Sequence, residues 1–227
     1  MPKDANRAAV LMRESAELGH GDAQARLAAY YRHGFGVDTD LEQARYWAVR
    51  AVQQESPRGY YALGLLLKEG SGVKQDPAAG FELIRKAADM GHDEAQMQAG
   101  FEYEVGKIVA KDLSNARKYY QLAADRDNGT AMMRLGRLYR YAIGVDRDLA
   151  KARYWFEQAH QRDVPHGTYM LADMMYWDQG GGKDVKAAIE LWKQNADYWP
   201  QSAHDLGVAY HFGSDQVEAN PVLAVKY

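Results

Sequence analysis

The 227-residue chain contains no cysteine. That excludes a disulfide framework, a thiolate metal site and a cysteine nucleophile. It does not choose a compartment, because a chain without thiols folds equally well in reducing and oxidising surroundings. Long apolar runs are missing as well. The longest, residues 60–67, includes a glycine and is far too short to cross a bilayer, so no membrane insertion is expected. Neither sign of charge dominates: 28 Lys and Arg stand against 31 Asp and Glu, a formal net charge of -3. A nucleic-acid partner is not expected from that balance, since neutralising phosphates needs a basic face. Met1-Pro2-Lys3-Asp4 opens no apolar signal segment. The compartment stays unassigned: cytoplasmic, or periplasmic if a leader has been removed.

What the chain has is a period of 36 residues. Stepping by 36 from Asp4 gives Asp40, Asp76, Asp112, Asp148, Asp184 and Asn220. Stepping from Ala8 gives Ala44, Gly80, Ala116, Ala152, Ala188 and Ala224. From Leu27 come Leu63, Ala99, Leu135 and Leu171, then Leu206 one residue early. Columns kept in register over a whole chain are the mark of a repeat array.

Each column has a physical reading. Asp or Asn is expected as a helix N-cap, accepting from exposed backbone N–H groups. Pro77 and Pro221 follow at the first helical position, where proline costs no hydrogen bond. The small residues mark close approach of two helices. Leu27, Tyr31 and Gly34 fall at helical i, i+4, i+7 spacing, as do Leu135, Tyr139 and Ala142. The unit is therefore two helices: helix A over residues 22–33, a Gly-x-Gly-Val loop, and helix B over residues 40–53. The loop recurs as Gly70-Ser71-Gly72-Val73 and Ala142-Ile143-Gly144-Val145, with the valine expected to plug the core. On helix B, Trp47, Tyr119, Trp155 and Tyr227 are expected to pack inside.

These residues resemble the Sel1-like repeat, a relative of the tetratricopeptide repeat. The pattern reads best from Leu135-Gly136 through Gly144-Val145, Asp148, Lys151-Ala152 and Trp155-Phe156 to Ala159. The departures are Ala28 and Ala172 at a usual glycine and Ile108 at the second loop glycine. The resemblance implies an all-α fold: a right-handed α/α superhelix, or solenoid, of about six two-helix repeats, with helices A lining a concave face. The chain is expected to form one solenoid, residues 1–227. Residues 1–22 hold helix B of a partial first repeat. Full repeats follow at 23–58, 59–94, 95–130, 131–166 and 167–202, with an incomplete one at 203–227. Core-phase residues at both ends lead to the expectation of a longer parent array or of end-to-end self-association.

Candidate chemistry is sparse. Ser71-Gly72-Val73-Lys74 matches the acylation motif of penicillin-recognising serine enzymes, but it lies across repeat-loop columns and no partner motif accompanies it. The aspartates are one repeat apart and do not converge as calcium ligands do. His20 and His92 are repeat equivalents in a turn, and His204 and His211 are two helical turns apart, too far to chelate one ion. No catalytic residue, cofactor site or metal site is expected.

The resemblance implies a bacterial adaptor, scaffold or regulator that binds another protein without catalysis. An immunity protein against a secreted effector is the alternative. A cell-wall or β-lactam hydrolase is disfavoured by the missing cysteines and catalytic set. The columns that vary between repeats are left for the partner. On helix A they form one flank, which gains arginine and aromatic residues toward the C-terminal half. Arg134, Arg137, Tyr141, Asp173 and Trp177, with Phe101, are the candidate partner-binding residues, because arginine and aromatic side chains dominate hot spots.

Overall fold

The computed structural model describes residues 3–214 and 216–227; Met1, Pro2 and Asp215 lie outside the described residues. Those described form thirteen α-helices and no strand. They group into two compact units, residues 1–123 and 124–227.

The first unit holds α1 (Lys3–Glu17), α2 (Gly21–His33), α3 (Leu41–Gln53), α4 (Pro57–Glu69), α5 (Pro77–Asp89), α6 (Asp93–Val105) and most of α7 (Leu113–Ala124). The second holds α8 (Gly129–Arg140), α9 (Leu149–His160), α10 (Pro165–Tyr176), α11 (Val185–Asn195), α12 (Pro200–Phe212) and α13 (Pro221–Lys226). Even-numbered helices are the A helices. Within each unit the chain packs sequentially: α2 meets α3 and α4 in the first, and α10 meets α9 and α11 in the second.

The aspartate column caps the B helices. Asp40, Asp76, Asp148, Asp184 and Asn220 each accept a backbone N–H of the following turn, at 2.9–3.1 Å. Asp112 does the same for Asn115 N–H, at 2.9 Å. Asp4 is different. Helix α1 already begins at Lys3, so Asp4 is in its first turn, where an acid favours the positive end of the helix dipole. The loop valines turn inward as expected: Val37 and Val73 pack on the core around Leu27 and Trp47. The second loop glycine has a steric reason. Gly36 (φ 67°) lies against Ala5, and a β-carbon there would sit 2.1 Å from the Ala5 carbonyl oxygen. Gly72 and Gly180 stand in the same way over Leu41 and Leu149.

Of the helix B column expected from sequence, Trp47 and Tyr119 are buried and Tyr227 packs on the core around Trp192, but in several repeats the deepest side chain lies one residue further on. Ile84, Tyr120, Phe156 and Trp192 are fully buried, whereas Trp155, one step earlier, is only half-buried and meets Tyr154 edge-on. A single helical step turns a side chain by about 100°, enough to move it from the core to its border. The residues opposite are small. A β-carbon on Gly64 would fall 2.8 Å from Ile84, on Gly100 2.7 Å from Tyr120, and on Gly136 2.6 Å from Phe156. Glycine on helix A makes room for the ring on helix B.

Candidate interaction surface

The candidate residues of the second unit sit on α8 and α10 and just past their C-termini. Arg134 and Arg137 are half-buried on α8. Tyr141 follows the last helical residue, its N–H bonded to the Arg137 carbonyl, and is 51% exposed. Trp177 holds the equivalent place after α10, bonded to the Asp173 carbonyl, and is 63% exposed. Each ends its helix because the next residue, Ala142 or Asp178, takes a positive φ. Both aromatic side chains are thereby left exposed just beyond the ends of their A helices.

Asp173 is not a free contact. Its carboxylate accepts from the Arg140 guanidinium, and the side chains are 17% and 9% exposed respectively. The same guanidinium lies 5.3 Å from the centre of the Tyr141 ring and reaches the Met170 sulfur at 3.3 Å. Arg140, Met170, Asp173 and Tyr141 thus form one knot between α8 and α10. The sequence reading missed Arg140. The signal was present: Arg32, Lys68 and Arg140 share one column. In the first unit Arg32 grips Glu69 of the next A helix at 2.5 Å, and Lys68 binds the buried Glu102 at 2.6 Å. A basic residue near the end of one A helix ties down an acid on the following one.

A second cluster lies at the start of α10. His166 stacks on Trp199 with ring centres 4.5 Å apart, and Tyr169 is 6.3 Å from the same indole. Burial, then the charges of Arg137 and Arg134, lower the His166 pKa, so the imidazole is neutral near pH 7. Burial raises the Tyr169 pKa, and its hydroxyl is bonded to Asp205, whose own carboxyl is raised by burial. The surface therefore runs from basic α8 to carboxylates on α10 and α12. It continues into Val208 and Phe212, both exposed on α12. Phe101, on α6 of the first unit, is 37% exposed.

The other sequence motifs fall on structural roles. Ser71 is in the loop after α4, its hydroxyl 3.3 Å from Glu69. His92 caps α6 by accepting from Ala95 N–H. Among the described residues no three His, Cys, Asp or Glu side chains converge as a metal site. No described helix is long and apolar enough to cross a membrane.

Comparison with known proteins follows the same repeat. The Sel1 repeat model matches residues 1–20, 21–56, 57–92, 93–128, 129–162, 165–197 and 200–227. The structure of a protective antigen of uropathogenic Escherichia coli superposes with a TM-score of 0.87 at 31% identity, covering 99% of this chain and 48% of that one. A Sel1 repeat protein of Oxalobacter formigenes gives 0.81 at 25% identity, covering 92% and 86%. Chitin synthase regulatory factor 3 of Schizosaccharomyces pombe is 33% identical over 115 residues, 48% of this chain. The chain spans only 12% of that fission-yeast protein and about half of the E. coli one. Proteins of this repeat class serve in general as protein-interaction modules. With seven matched repeats over nearly its whole length, the chain belongs to the Sel1 repeat family.

Proposed function

We propose that this chain is a non-catalytic interaction module that binds a partner protein through the A-helix face, with Tyr141 and Trp177 as anchors. One observation carries the reading. Two large aromatic side chains stand exposed beside a buried, paired Arg140–Asp173 knot. Exposed aromatics on a rigid base bury large area at small entropic cost, the composition of a binding hot spot. Arg134 and Arg137 supply directed donors beside them. Asp173 acts by fixing Arg140. Phe101 adds an aromatic contact on the first unit. Exposed Val222 and Val225 on α13 support self-association as part of the same reading.

Melting temperature and partner affinity measured on the same variants test this. Replacing Tyr141 or Trp177 by alanine is expected to weaken binding by about 2 kcal/mol or more with the fold kept. A fall in melting temperature with unchanged affinity of the folded fraction contradicts it.

The narrower reading, neutralisation of a secreted effector, draws on two immunity proteins of Pseudomonas aeruginosa that share the fold at 21% and 23% identity. Likeness at that level carries the fold and not the role. Rescue of cells expressing a candidate effector is the test of that narrower role.

A further inference from the structure

The A-helix side of the first unit holds a groove of about 450 Å³ between α2 and α4, reaching the start of α6. Its floor includes Ala25, Ala28, Ala29 and Ala62. At two of these columns other repeats carry longer side chains: Leu65, Phe101, Arg137 and Asp173 are equivalent to Ala29, and Met170 to Ala62. The methyl groups of Ala29 and Ala62 leave open the space that those longer side chains take in other repeats. Leu65 and the Tyr61 ring extend the apolar surface.

The rim carries donors in excess. Arg32 is engaged by Glu69. Arg26 and Arg58 enter no hydrogen bond or ion pair among the described residues, and Arg58 Nε is buried without a partner. His92, stacked on Tyr61 with ring centres 4.8 Å apart, lines the same rim. Its Nδ1 faces both the Ala95 N–H and the Glu94 carboxylate, each at 3.3 Å, and its Nε2 is buried and unpartnered. Glu94 is the one acid among the described lining residues, and it stands against His92 Nδ1 and not between the two arginines. Unsatisfied buried donors are costly and call for an acceptor. Guanidinium groups select carboxylates among acceptors through paired, charge-assisted bonds.

We propose that this groove takes an acidic segment of the partner protein: a Glu or Asp carboxylate between Arg26 and Arg58, with the neighbouring apolar side chain on the alanine floor. The proposal rests on the reading of the chain as a protein-binding module and adds a second contact to it. An acid next to a large aliphatic residue is the recognised unit. The size of the groove suits a few side chains and no more.

The test uses the whole chain and two capped peptides, acetyl-Leu-Glu-Leu-amide and its Gln analogue, followed by the arginine Nε–H signals in NMR. The Glu peptide is expected to shift Arg26 and Arg58 saturably, and the Gln peptide to bind about tenfold more weakly, the worth of a charge-assisted bond. Ala29→Leu, which copies Leu65, is expected to abolish binding at an unchanged melting temperature. Ala62→Met, which copies Met170, serves if that variant does not fold. Equal affinity for both peptides, no saturable shift, full binding by the filled-groove variants, or tighter binding of oligothymidylate by the same arginines would each overturn it. Retained partner binding by Ala29→Leu, with loss in Trp177→Ala, would sink this groove alone and leave the interaction reading standing.

Discussion

Gly136 on α8 lies flat against the Phe156 ring of α9: a β-carbon on the glycine would come within 2.6 Å of the ring edge. The relation repeats between Gly100 and Tyr120 and between Gly64 and Ile84. Small on helix A and large on helix B set how closely the two helices of a repeat approach. Interiors packed at crystal-like density do not absorb an added methyl without movement.

Gly136→Ala is therefore expected to destabilise the chain by about 1–2 kcal/mol, overpacking outweighing the gain in helix propensity. Adding Phe156→Leu should restore part of the loss, because the shorter side chain vacates the space. Chemical denaturation of the single and double variants checks this. A Gly136→Ala variant more stable than the parent contradicts the packing argument.

Breaking the Arg140–Asp173 pair should act on stability first. Asp173→Ala leaves a guanidinium that is 9% exposed without its counter-charge, and the expected loss is roughly 3 kcal/mol. Replacing both residues together, Arg140→Met with Asp173→Ala, should cost less than Asp173→Ala alone. A double-variant cycle on thermal unfolding reads the coupling directly. Additive losses would show that the two side chains are energetically independent.

Much of this architecture is legible in the residues. The 36-residue step located the caps Asp40, Asp76, Asp148 and Asp184, and the loop valines Val37 and Val73, because caps and plugs are dictated locally. Two features escaped for physical reasons. Trp155 and Phe156 are adjacent aromatic residues, and composition does not say which one faces the core; Gly136 opposite Phe156 decides it. Arg32, Lys68 and Arg140 stay in phase, with Glu104 interrupting their column, but their acids do not. Glu69, Glu102 and Asp173 lie at three different positions of the following helix, since a long basic side chain reaches whichever turn offers a carboxylate. A fixed-period scan finds one half of such a pair. The flank of Tyr141 and Trp177 followed from helical phase. Their exposure depends on helix ends that the phase does not give.

Acid should loosen the His166 cluster. Burial and the neighbouring Arg137 and Arg134 hold its pKa below the ordinary 6.5, so the unfolded chain takes up the proton at higher pH than the folded one. The stabilisation is complete above that ordinary value and is lost as pH falls through the folded pKa. Between pH of about 7 and about 5, the melting temperature of the parent should fall more steeply than that of His166→Gln. His92 shares the direction through its own burial, so the difference between the two proteins isolates His166. Parallel pH profiles would contradict the assignment.

The central claim is that the A-helix face, and not the outer B-helix surface, meets the partner. Site-specific photo-crosslinking tests it most directly. Benzoylphenylalanine would replace Tyr141 or Trp177 on one face, and the exposed B-helix tyrosines Tyr46 or Tyr154 on the other. The account predicts one discrete adduct from positions 141 and 177 and none from 46 and 154. The same adduct from Tyr46 or Tyr154, with none from 141 and 177, would contradict it.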